Sequence, residues 1–129
     1  MSNLNQHQRE IEFYDEWAAS TPLETIRVRE LFEYPVAMEN QWILELMGDL
    51  RGKKLLDIGA GLGESSVYFA LQGADVVCTD ISPAMVDLAK RLAIHHGTEI
   101  SGITTPGETI DFPNDSFDTV SYTHLRARD

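Results

Sequence analysis

Three glycines at alternate positions follow directly on a short apolar run, and this junction restricts the possible folds more than any other part of the chain. Residues 54–58 read Lys-Leu-Leu-Asp-Ile, and glycine then occupies positions 59, 61 and 63 before a helical pattern begins. Because glycine has no Cβ, the backbone can turn tightly there and a ligand can lie against it. In open parallel sheets, nucleotides bind at such a strand-to-helix turn. The junction therefore predicts a parallel α/β sheet with a nucleotide or nucleoside site at the bend.

The pattern after position 52 supports this fold class. Short apolar runs alternate with helical patterns, which is typical of β-α-β units. The pattern predicts strands over 54–58, 74–79, 100–104 and 117–122, and helices over 64–72 and 83–95.

The first fifty residues instead show helical patterns throughout. Apolar residues at three- and four-residue separations predict a first amphipathic helix; they are Ile11, Phe13, Tyr14, Trp17 and Ala18. A second helix is expected to begin at Thr21, which can cap it, and to end before Pro35. A third is expected to bury Met38, Trp42 and Leu46, with Ile43 and Met47 as further candidates for the inward face.

Composition excludes several classes of protein. The chain has 129 residues, 43% of them hydrophobic, which suits one globular domain. A formal charge of -11 disfavours nucleic-acid and membrane partners, because such a surface repels phosphate groups. The single cysteine, Cys78, cannot form an internal disulfide, so the cytoplasm is the expected compartment. No apolar run approaches the ~20 residues that span a bilayer.

An acidic residue stands at the end of the second predicted strand. Asp80 follows Gly63 by seventeen residues, close to the spacing at which a carboxylate accepts ribose hydroxyls in such folds. The alternative role is the N-cap of the next helix. Ser82, directly before Pro83, can fill that capping role, so the spacing favours the ribose role for Asp80.

The glycine pattern also indicates which kind of nucleotide or nucleoside suits the bend. A dinucleotide fingerprint would need a further glycine at position 64 or 66, and these hold Glu64 and Ser66. A carboxylate at the helix N-terminus would also repel a pyrophosphate. A nucleoside with a cationic tail fits better, since Asp57 supplies a negative charge just before the glycines.

Three stretches together resemble the first half of a class I S-adenosylmethionine-dependent methyltransferase. They are residues 56–63, 80–85 and 112–120, within a likeness that covers roughly 53–120. The likeness is to small-molecule enzymes of the kind that methylate quinone precursors. It implies a Rossmann-like parallel sheet, S-adenosylmethionine as cofactor and a small-molecule methyl acceptor. Four of the family's seven strands are expected here, in the order 3-2-1-4.

The resemblance also implies roles for individual residues. Asp80 would hold both ribose hydroxyls, and Asp57 would reach the amino group of the methionine part through water. Ile81 would pack on the adenine face. The floor under the methionine part and the ribose would consist of Gly59, Ala60, Gly61 and Gly63.

The adenine-reading position departs from the family. Members usually place an acidic residue and then a small one before the Phe-Pro stretch, and here Pro106 occupies the acidic position. Gly107 and Glu108 follow it and are the remaining candidates, unless backbone groups read the adenine edge alone. The sequence identifies no catalytic base and no metal ligands.

Two other functional classes stay open. A non-catalytic nucleoside-binding or interaction module could use the same fold, since fold does not fix function. A nicotinamide-dependent oxidoreductase is disfavoured by the missing fingerprint.

The expected organisation has three parts. Residues 1–50 form a helical lid, and residues 51–120 form an incomplete cofactor-binding domain, so the chain is expected to be an N-terminal fragment. Residues 121–129 are expected to be a non-native tail, because residues 120–125 read as a sequencing-library transposon adapter would encode them.

Overall fold

A four-stranded, all-parallel sheet forms the centre of the protein. The structure is a computed structural model, which describes residues 3–33, 38–106 and 116–122. Its strands are β1 (Lys54–Ile58), β2 (Asp75–Asp80), β3 (Ser101–Thr104) and β4 (Thr119–Tyr122). They lie in the order β3-β2-β1-β4. The predicted α/β fold and strand order are confirmed.

The register of the strands aligns their carboxyl ends. Ile58, the last residue of β1, pairs with Thr79 of β2 and with Tyr122 of β4. Residues that follow β1 therefore begin beside the end of β2, where Asp80 lies. Ser121 and Tyr122, the first two residues of the expected tail, pair with β1, while the origin of 121–129 stays a prediction.

Two helices connect the strands at the predicted places, α4 (Glu64–Leu71) and α5 (Pro83–His95). The chain before β1 contains α1 (Asn3–Ala19), a 3-10 turn (Leu23–Thr25), α2 (Glu30–Glu33) and α3 (Met38–Met47). The first of these helices, α1, packs against α5. None of the helices in the described parts of the chain is both long and apolar enough to cross a membrane.

The core lies between the sheet and these helices. Its largest fully buried apolar side chains come from α4, α5, two strands and the segment before α2: Phe69, Leu55, Met85, Leu88, Leu92, Val28, Val67 and Val76. Because the strands are covered, β1 and β2 read as nearly continuous apolar runs, as parallel strands usually do.

The prediction of a continuous second helix is wrong. Only the 3-10 turn and the four-residue α2 form there, joined by a non-helical stretch. Ile26 and Val28 alternate into the core in that stretch, and an extended backbone suits such β-branched residues. Thr21 is not an N-cap; its hydroxyl donates to the carbonyl of Trp17, 2.6 Å away, at the end of α1.

The buried face of the third helix is predicted wrongly except at Met47. Trp42, Ile43 and Leu46 are exposed, at 63%, 42% and 70%. The predicted Met47 packs against the core, and so does Leu44, which was not predicted. The side chain of Met38 lies outside what the structure describes. An apolar residue on a short helix thus did not identify the face that docks.

Candidate functional site

The glycine bend lies at the carboxyl edge of the sheet, directly after β1. Gly59, Gly61 and Gly63 have φ angles of 68°, 62° and 92°, a region that side chains disfavour. The amide of Ala60 donates to the Thr79 carbonyl of β2 over 3.0 Å, which holds the bend against the neighbouring strand. The bend therefore presents mostly backbone at the position where the sequence predicted it.

Asp80 meets this bend directly. Its Oδ2 accepts a hydrogen bond from the amide of Gly61 at 3.1 Å, and its Oδ1 accepts from the amide of Ser82 at 3.2 Å. Asp80 is 7% exposed. The two predicted halves of the site, the bend and the carboxylate, are thus adjacent, and the orientation of the carboxylate is fixed.

Ser82 is the N-cap of α5, as predicted. Its Oγ accepts from the amide of Met85 at 3.1 Å, and Pro83 begins the helix. The capping role is therefore filled without Asp80.

Gly63 has a packing role that the sequence did not reveal. A Cβ at this position would lie 2.5 Å from the Cβ of Ala89 and 2.9 Å from its Cα. The start of α4 thus touches α5 through two of the smallest residues, which sets the distance between the two helices beside the bend.

Asp57 is wholly buried beneath the bend. Its Oδ2 accepts a 2.6 Å hydrogen bond from Ser66 Oγ, and Ser66 is buried too. Ser66 was not predicted as a site residue; the signal available was a polar pair in the first turn of an otherwise apolar helix. The predicted role of Asp57 toward an amino group is not tested by this arrangement.

Acidic side chains dominate the charge of the site. Burial is the main cause that raises the pKa of the Cys78 thiol to about 12, and the carboxylates of Asp57 and Asp80 raise it further. Cys78 is therefore an uncharged core residue. Burial also raises the pKa of Glu64, at the start of α4. This acidic helix N-terminus is unsuited to a pyrophosphate.

The N-terminal segment reaches the site in two places. A cleft of about 490 Å³ lies between the 3-10 region and the start of α4, lined by Thr21, Thr25, Ile26, Arg27, Glu30, Leu62 and Glu64. Asp15 of α1 accepts a hydrogen bond from Ser82 Oγ. This contact of Asp15 was not predicted from the sequence.

The adenine-side residues are less completely placed. Ile81 follows Asp80 and is half-buried. Gly107 and Glu108 lie outside the described residues. Within the described part of the chain, no cluster of three or more His, Cys, Asp or Glu side chains could hold a metal ion.

Comparison with known proteins identifies the family. The family model described as "Methyltransferase domain" matches residues 55–128, more than half of the chain. The chain is 29% identical over 116 residues to a ubiquinone biosynthesis O-methyltransferase of Bordetella avium, covering 84% of this chain and 44% of that protein. It is 49% identical over 45 residues to a magnesium-protoporphyrin O-methyltransferase of Rhodobacter capsulatus, covering 35% of this chain and 20% of that protein.

A solved structure has a similar fold over the matched part of the chain. Magnesium protoporphyrin IX methyltransferase of Synechocystis, crystallised with bound S-adenosylhomocysteine, superposes with a TM-score of 0.53 at 29% identity. The match covers 64% of this chain and 36% of that one. The chain thus spans less than half the length of each of these relatives. The α/β fold and the predicted resemblance to S-adenosylmethionine-dependent enzymes are confirmed at the level of the family, and the chain belongs to the methyltransferase-domain family.

Proposed function

We propose that this chain binds S-adenosylmethionine at the glycine bend and serves the transfer of its methyl group to a small molecule. The observation that carries the proposal is the hydrogen bond from the Gly61 amide to the Asp80 carboxylate. It places a fixed, nearly buried acceptor next to a bend of bare backbone. A nucleoside needs both features. The acceptor binds its ribose hydroxyls, and the bare backbone lets the rest of the molecule approach closely.

The residues present fit this cofactor. Backbone amides of Gly61 and Ser82 orient the Asp80 carboxylate, and a carboxylate is the acceptor that ribose hydroxyls need. Asp57 lies beneath the bend and supplies negative charge on the side of the cationic methionine part. The predicted floor of the site consists of Gly59, Ala60, Gly61 and Gly63. Ile81 is proposed to pack on the adenine, and Gly107 and Glu108 remain proposed contacts to its edge.

In this reaction the main task of the protein is to bind and align the cofactor and the methyl acceptor. When bound, the sulfonium of the cofactor supplies an already activated methyl group. The residues of this chain bind the nucleoside, fix its orientation through Asp80, and cover it from the side of α1. Alignment of two reactants in this way accounts for much of the rate in such transfers. We assign no catalytic base.

A small-molecule acceptor is supported by the names of the relatives, which refer to ubiquinone biosynthesis and to magnesium-protoporphyrin. The formal charge of -11 opposes a nucleic-acid acceptor. One buried cysteine is consistent with the reducing cytoplasm, which we propose as the location.

Calorimetric titration of the chain with S-adenosylhomocysteine and, separately, with NAD tests the proposal. We expect binding of S-adenosylhomocysteine and none of NAD. Asp80→Asn keeps a carbonyl oxygen for the Gly61 amide and loses the charge, so affinity should fall roughly tenfold or more.

Asp75→Asn is the matched control, because Asp75 lies at the opposite, amino-terminal end of β2 and is exposed. It should bind like the wild type. Binding of NAD in preference, or equal affinity of Asp80→Asn and wild type for S-adenosylhomocysteine, would contradict the proposal.

A further inference from the structure

A hydrogen bond joins the N-terminal helix to the loop that carries the cofactor carboxylate. Ser82 Oγ donates to Asp15 Oδ1 at 2.5 Å, although the two residues are 67 positions apart. This length is typical of a hydroxyl that donates to an ionised carboxylate, which is among the stronger hydrogen bonds in proteins. Ser82 is fully buried.

Ser82 connects three elements at once. Its amide donates to Asp80 Oδ1, and its Oγ accepts from the Met85 amide of α5. Its hydroxyl donates to Asp15 of α1. A serine hydroxyl can donate one hydrogen bond, so Ser82 donates to no other group while it donates to Asp15. The positions of α1, Asp80 and the start of α5 are thereby linked through one residue.

The helix α1 also contacts α5 and the core through apolar side chains. Among the described side chains of α1, Ala18 is buried, and Tyr14 is partly buried against the core. Phe13 is 63% exposed and Trp17 is 37% exposed. The bond between Asp15 and Ser82 therefore adds a polar, partly buried link to the apolar contact of α1.

We propose that Asp15 is a positioning residue for the cofactor, which couples the docking of α1 to the occupancy of the site at Asp80. This inference rests on the proposed function. A ligand held by Asp80 immobilises the segment from Asp80 to Ser82, and a fixed Ser82 holds Asp15 and α1 in place. Because such coupling is reciprocal, loss of the Asp15 contact weakens the binding of the ligand.

The test combines titration with hydrogen exchange on the full chain, with S-adenosylhomocysteine as the probe. In the wild type, the ligand should slow amide exchange in α1. Asp15→Ala should raise the Kd about five- to tenfold and abolish that slowing, as expected for loss of one charge-assisted hydrogen bond. Asp15→Asn, whose amide oxygen can still accept from Ser82, should restore part of both effects.

Asp87→Ala is the matched control, because Asp87 is an exposed acid of α5 that pairs with Arg91 away from the site. It should match the wild type in Kd and in α1 exchange. An Asp15→Ala protein that binds with unchanged Kd and still protects α1 overturns the positioning role alone. A wild-type chain that does not bind S-adenosylhomocysteine overturns the proposed function as well.

Discussion

Gly63 shows how much of the site depends on single residues that lack a side chain. Its φ of 92° is unfavourable for any other residue, and the space a Cβ would need is already filled by Ala89 of α5. The two constraints are independent, since one is local to the backbone and the other comes from the packing of α4 on α5. Together they make this glycine structural as well as part of the proposed floor.

Gly63→Ala should therefore lower the free energy of unfolding by about 3 kcal/mol, from the left-handed backbone and the overpacked contact together. Gly97→Ala is the control: its φ is 85°, and nothing lies within 4 Å of an added Cβ. That substitution should cost only about 1 kcal/mol, from the backbone alone. Urea denaturation measures both, and equal losses would show that the Ala89 contact is relieved without cost.

Residue-level features were predictable where they depend on neighbours in sequence. The glycine bend, the Ser82 cap and the position of Asp80 follow from local spacing, and the structure places all three as predicted. The pairs Asp57–Ser66 and Asp15–Ser82 were missed. The second joins residues 67 positions apart, and it depends on how α1 docks, which local spacing does not encode.

At the level of elements, α2 illustrates a helix that exists only because of what it packs against. It has four residues, far fewer than an isolated helix needs in water. Its Phe32 ring stacks on Tyr68 of α4 with 4.4 Å between ring centroids, and Tyr68 donates to Glu33 over 3.0 Å. Burial is the main cause that raises the pKa of Tyr68, and the bond to Glu33 adds to it.

Phe32→Ala should cost about 3 kcal/mol of unfolding free energy, because Phe32 is 4% exposed and its removal leaves a cavity. Tyr68→Phe keeps the stacked ring and loses one partly buried hydrogen bond, so about 1 kcal/mol is expected. Phe13→Ala, on an exposed ring, should change stability by less than about 0.5 kcal/mol. Thermal and urea unfolding of the three variants checks this order, and a larger loss for Tyr68→Phe than for Phe32→Ala would refute it.

The strands and the two connecting helices were predictable because each is an apolar run or a helical pattern bounded by glycine, proline or a capping serine. The segment before α2 was not. Its alternation of Ile26 and Val28 is too short to distinguish from a helix pattern, and burial in the core decides for the extended form. The docking face of α3 likewise depends on tertiary contacts, which its sequence leaves open.

For the molecule as a whole, charge is the dominant property. The formal charge is -11, and the carboxylates of Asp57 and Asp80 lie buried at the site itself. A field of one sign draws cations toward the protein and has little effect on neutral ligands. S-adenosylmethionine carries one positive charge more than S-adenosylhomocysteine, so the two ligands report on this field separately.

Association of S-adenosylmethionine should therefore slow as salt is added, and association of S-adenosylhomocysteine should not. Between 10 and 150 mM salt the screening length falls from about 30 to about 8 Å, so attraction beyond the immediate site is lost. We expect the association rate of S-adenosylmethionine to fall roughly threefold, less than the about tenfold or more of strong electrostatic steering, because the ligand carries a single net charge. Stopped-flow tryptophan fluorescence with both ligands measures this, and the neutral ligand is the control for general salt effects. Equal salt dependence of the two rates would mean that the acidic field does not guide the cofactor.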